Sequence, residues 1–139
     1  MYFKKTILCI MVLMVLLITS SCNEDKKFVN QGNESLKNGK IEEALSFFSK
    51  ALEVNPKNEE ASAGKKKVLL LIEEKHLVFN GNEMLQNGNL EQAQVDFDKA
   101  LWINPTNKEA LLGKEKVSLL VEEKKSTDKG GFEINILIR

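Results

Sequence analysis

The chain has 139 residues, in which 20 lysines and arginines balance 20 aspartates and glutamates, with one histidine, two cysteines and one tryptophan. That length suits one domain with a modest core. The lack of a basic surplus argues against nucleic acid as a partner, and a single histidine excludes a histidine-based triad or histidine-rich metal site within one chain.

The first element is a leader. Met1 to Lys5 carries Lys4 and Lys5, Ile7 to Ile18 is almost continuously apolar, and Thr19, Ser20 and Ser21 supply small residues before Cys22. This order predicts a signal peptide over 1–21. Its apolar stretch of 12 residues falls short of the roughly 20 that cross a bilayer. Without Lys4 and Lys5 the balance becomes 18 basic against 20 acidic residues, a formal charge of −2. Cys9 would leave with the leader, so Cys22 would be the sole thiol, with no disulfide and no zinc site. Ile18-Thr19-Ser20-Ser21-Cys22 resembles the lipobox of bacterial lipoproteins, departing at Thr19, where leucine is preferred. The resemblance implies a diacylglycerol on the Cys22 thiol and an acylated N-terminus, enough chains for stable anchoring. It also implies a place in the bacterial cell envelope, at the outer membrane or the outer face of the cytoplasmic membrane. Residues 22–27 then read as a lipidated polar tether.

An internal repeat organises the rest. Residues 32–75 realign on 81–124 at an offset of 49 without a gap, with 26 identities in 44 positions. In each unit a first helix (Phe28 to Asn38, Leu77 to Asn87) is stopped by an Asn-Gly pair, glycine being suited to the left-handed residue past a helix end. A second helix (Ile41 to Val54, Leu90 to Ile103) carries one apolar stripe: Ala44, Phe48, Ala51 and Leu52, then Ala93, Phe97, Ala100 and Leu101. Acids in its first turn suit the helix dipole. Asn55-Pro56 and Asn104-Pro105 end it, and Asn58 and Asn107 are placed to cap a third helix. From Glu59 to Gln86 no turn signal intervenes, so these residues form either one long helix or two with a break near Lys75-His76.

The unit resembles the tetratricopeptide repeat, a helical hairpin of about 34 residues. The matching residues are Gly32, Gly39, Ala44, Phe48, Ala51, Leu52 and Pro56, and in the second unit Gly81, Gly88, Ala93, Phe97, Ala100, Leu101 and Pro105. It departs at Gln31, Ser35 and Asn80, where the family carries large apolar residues, and in its period of 49. The resemblance implies an all-α fold: two hairpins with extended linking and capping helices in an α-solenoid over 28–125, with units about 28–76 and 77–125. It also implies a groove for a peptide or partner helix, lined by Val29, Asn33, Leu36 and Lys37 and by Val78, Asn82, Leu85 and Gln86. Val29 occupies the place of the clamp lysine of chaperone-binding members, so recognition of a C-terminal carboxylate is not expected.

Other motifs read as surface. The adjacent pairs Glu42-Glu43, Glu59-Glu60, Glu73-Glu74 and Glu122-Glu123 point about 100° apart on a helix and cannot flank one substrate. Lys65-Lys66-Lys67 is a solvated run, and His76 a helix-surface residue. Between the units Ser46 and Glu53 become Val95 and Trp102, which makes one helix face apolar and predicts that the tail or a second chain covers it. The tail, 126–139, alternates from Phe132 to Ile138 like a strand. It could dock on the helices, pair with another chain or continue into a longer protein. The expected function is a membrane-tethered, non-catalytic scaffold for an unidentified protein or peptide, without cofactor or metal. The alternative is an assembly subunit that self-associates through the second unit and tail.

Overall fold

The computed structural model describes residues 24–137, with side chains up to residue 127. The signal peptide over 1–21 and the lipidation site Cys22 lie outside the described residues. Five helices follow one another: α1 (24–37), α2 (Ile41–Val54), α3 (Glu59–Gln86), α4 (Leu90–Ile103) and α5 (Lys108–Leu137). The all-α architecture expected from the sequence is the one observed. The chain divides into two compact units, Met1–Leu71 and Ile72–Arg139.

Two boundaries differ from the expectation, and one left open is decided. Residues 24–27, expected in a short polar tether, form the first turn of α1. Of the two readings left open for residues 59–86, one long helix or a break near Lys75-His76, the first is observed: α3 is a single helix of 28 residues. No helix-breaking residue separates Lys75 from His76, and each residue that prolongs a helix adds one hydrogen bond for one fixed residue. The tail does not form the expected strand, since α5 runs without interruption to Leu137. A lone strand has no ladder partner in a helical unit, whereas extending α5 satisfies each backbone group within the helix.

The stops work as the sequence suggests. Gly39 has φ 73° and Gly88 φ 75°, the left-handed conformation that glycine adopts without steric cost. At the end of α1 the Lys40 N–H reaches the Ser35 carbonyl at 2.9 Å and the Gly39 N–H reaches that of Leu36 at 3.0 Å. Asn89 and Gly88 make the same two bonds to Met84 and Leu85 at 2.9 and 3.2 Å. This paired closure satisfies carbonyls the helix itself leaves open. Asn58 Oδ1 accepts from the Ala61 N–H at 2.8 Å, and Asn107 Oδ1 from that of Ala110 at 2.9 Å, capping α3 and α5.

Each unit is built on the same seven buried apolar positions. They are Val29, Ile41, Ala44, Phe48, Ala51, Ala61 and Val68 in the first, and Val78, Leu90, Ala93, Phe97, Ala100, Ala110 and Val117 in the second. Every pair is 49 residues apart, so the sequence repeat is a repeat of the core. At its centre a phenylalanine ring lies between two glycines. A Cβ on Gly32 would come within 2.8 Å of the Phe48 ring, and one on Gly64 closer still. Gly81 and Gly113 hold the Phe97 ring in the same way. The glycines thus let helix backbones close on an aromatic ring, which fills the space a side chain would need.

Candidate functional site

The residues expected to line a groove separate into two sets, and the set is the same in both units. Val29 and Val78 turn inward, at 2% and 4% exposure, and belong to the cores. They cannot meet a partner, and their inclusion in the groove is corrected by that burial. Each lies on the face of its helix that also carries the core-contacting glycine, three residues further along (Gly32, Gly81). Leu36 and Leu85 are half-buried, while Asn33, Lys37 and Gln86 are exposed and Asn82 is intermediate.

The asparagines are already engaged. Asn33 Nδ2 donates to Glu60 Oε1 at 3.1 Å, and Asn82 Nδ2 donates to Glu109 Oε1 at 2.8 Å. Each unit therefore presents an amide and a carboxylate side by side, from two helices that the core holds together. The pair offers a carbonyl acceptor and a negative charge, which suit a peptide N–H or a basic side chain. Lys37 and Gln86, one turn on from the asparagines, extend the polar surface.

A second polar group, absent from the sequence-based expectations, lies at the end of each hairpin away from its Asn-Gly loop, around one carboxylate. Asp25 is 2% exposed, and its Oδ2 accepts from Asn55 Nδ2 at 2.8 Å and Asn58 Nδ2 at 2.9 Å. In the second unit Glu74, 5% exposed, accepts on Oε1 from Asn104 Nδ2 at 2.7 Å and Asn107 Nδ2 at 2.6 Å. The same asparagines use Oδ1 for backbone N–H groups, Asn55 for Lys57 and Asn104 for Thr106, both at 3.2 Å. One buried carboxylate per unit, from the start of α1 in the first and from within α3 in the second, thus ties its helix to the Asn-Pro turn and to the cap of the helix that follows. The bonds from Asn55 and then Asn58 hold the Asp25 carboxyl below its usual range. The signal was present: carrying the repeat back seven residues beyond Gly32 aligns Asp25 with Glu74 at the offset of 49.

Val95 and Trp102 stand on the outer face of α4, 44% and 83% exposed. Of the two covers expected, the tail or a second chain, the tail continues α5 as a helix to Leu137. Among the described residues no group of three or more histidines, cysteines or acids is arranged to hold a metal ion, and no helix is long and apolar enough to cross a membrane.

Residues 26–58 match the family model of the tetratricopeptide repeat. Among solved structures, the Arabidopsis OM64 TPR domain aligns with 17% identity over 70% of this chain and 96% of its own length, at a TM-score of 0.37. The first TPR domain of the human RPAP3 protein aligns with 20% identity over 74% of this chain and 96% of its own, at a TM-score of 0.36. The comparison with curated proteins returns no significant match.

Proposed function

We propose, from a tetratricopeptide repeat over 26–58 and an internal copy of its core 49 residues on, that the chain is a non-catalytic protein-interaction scaffold. The observation that carries this reading is the repeated surface pair, Asn33 with Glu60 and Asn82 with Glu109. Each unit by itself presents the same amide and carboxylate at its surface, which suits recognition of a peptide. Replacing both Asn33 and Asn82 with alanine should weaken partner binding about tenfold or more, the cost of removing two donor–acceptor groups from an interface. Helicity and the thermal midpoint should change little, because these bonds are near the surface. Site-specific crosslinking from Lys37 and Gln86 in the full chain gives the readout. A large loss of helicity, or crosslinks unaltered by the double substitution, would refute the reading.

The second part of the proposal is a lipid anchor at Cys22 that keeps the scaffold at a membrane of the bacterial envelope. Its support is the leader: Lys4 and Lys5, the apolar run Ile7 to Ile18, and Thr19-Ser20-Ser21 before the cysteine. Cys22→Ser should release the exported protein into the soluble fraction, measured by fractionation after a high-salt wash. A variant that stays with the membrane would rule out the thioether anchor.

A further inference from the structure

We propose that the outer face of α4 is a two-fold contact between two copies of this chain, with the two α4 helices side by side and parallel. The face is apolar along one line. Val95 and Trp102 are seven residues apart, about two turns or 10 Å, and so lie almost directly in line on the helix. Trp102 is 83% exposed and is the largest apolar side chain left open among the described residues. An aromatic of about 150–250 Å² left in water is a strong drive for contact.

Charge then selects the occupant and its direction. Asp98 and Lys99 lie between Val95 and Trp102 in sequence, one about 50° to either side of the apolar line, since successive residues turn by about 100°. When two such faces meet around a two-fold axis parallel to the helices, left and right flanks exchange. Each Asp98 then faces the partner's Lys99, and Trp102 meets Trp102. In an antiparallel pair the axis is perpendicular and each flank meets its own kind, Asp98 against Asp98 and Lys99 against Lys99. A single α4 is therefore electrostatically complementary to a parallel copy of itself and mismatched to an antiparallel one. Asp98 also bridges to Lys114 of α5, which holds its carboxylate in place on that flank.

The first unit shows that these residues are not a requirement of the fold. The corresponding positions of α2 are Ser46, Ser49, Lys50 and Glu53, with no apolar line and no acid opposite the lysine. Lys50 there sits 5.6 Å over the ring of Phe47, whereas Asp96 replaces that phenylalanine in the second unit. The two apolar residues and the aspartate occur together on α4 only.

One pair of 14-residue helices is a small contact against the roughly 1,200 Å² of a stable interface, so the association is expected to be weak and reversible. The proposal is independent of the anchor and of the amide–carboxylate surface. Its test is the mass of the full chain in density-matched detergent, by sedimentation over roughly 1 µM to 1 mM. Trp102 emission, from the chain's single tryptophan, is followed in parallel. The expected result is a monomer–dimer transition with a blue shift over the same range, abolished by Trp102→Ala. Lys99→Glu should weaken it about tenfold, and the exchange Asp98→Lys with Lys99→Glu, made with Lys114→Glu so that residue 98 keeps an opposite charge on α5, should restore it to within about threefold. All variants should keep wild-type helicity, because the side chains are exposed. A monomer at every concentration, or a dimer indifferent to Lys99→Glu, would overturn the parallel pairing.

Discussion

Phe97→Ala is expected to destabilise the protein by about 3–5 kcal/mol, the range for removing a fully buried aromatic from a core that cannot close around the gap. The ring is 0% exposed. Its neighbours at the closest points are Gly81 and Gly113, which have no side chains to move into the void. Val78, Leu90 and Val117 of the same core also hold the helices in place, so the cavity closes only in part and the cost falls within that range. Against a total stability of about 5–15 kcal/mol this is a large fraction. Phe48, between Gly32 and Gly64, should behave in the same way. Chemical denaturation with far-ultraviolet dichroism measures the effect, and a loss below about 1.5 kcal/mol would mean that the helices collapse onto the glycines after all.

Glu74→Ala is the second large effect, at about 1–3 kcal/mol, because it removes two bonds to a buried carboxylate and leaves the half-buried amides of Asn104 and Asn107 without that acceptor. Glu74→Gln keeps one acceptor oxygen but brings an amide donor next to two others, and should recover only part of the loss. The equivalent Asp25 supplies a pH test. Its folded carboxyl is held below the ordinary value by Asn55 and Asn58, so on acidification the unfolded chain takes up this proton first. The stability it contributes is complete above the unfolded value of about 3.9 and is lost as the pH falls through that value toward the lowered one. Asp25→Asn should lower stability near neutrality and flatten the decline between about pH 4.5 and 2. An unchanged slope in urea titrations over that range would show that the Asp25 bonds do not persist in solution.

These effects also show where sequence reasoning has its reach. The helix stops were legible because they are local: Asn-Gly sets a left-handed residue, and Asn-Pro denies the helical region to the residue before it. The core was legible because the repeat displays the same apolar positions twice. Local rules also fail for identifiable reasons. An alternation such as Phe132 to Ile138 is a strand signal only where a neighbouring strand exists to complete the ladder, and α5 offers a helix to extend instead.

By itself the sequence determined the fold class, the two units, the caps at Asn58 and Asn107, and the identity of the core phenylalanines. Only the tertiary structure decided that Val29 and Val78 face inward, that α3 is continuous, and that Asp25 lies at the heart of the first unit. Periodicity states which residues share a helix face, but not which face a neighbouring helix will occupy. The Asp25 bonds span 30 and 33 residues of sequence, and so do those of Glu74. Such partners become neighbours only when the hairpin has closed around its aromatic ring.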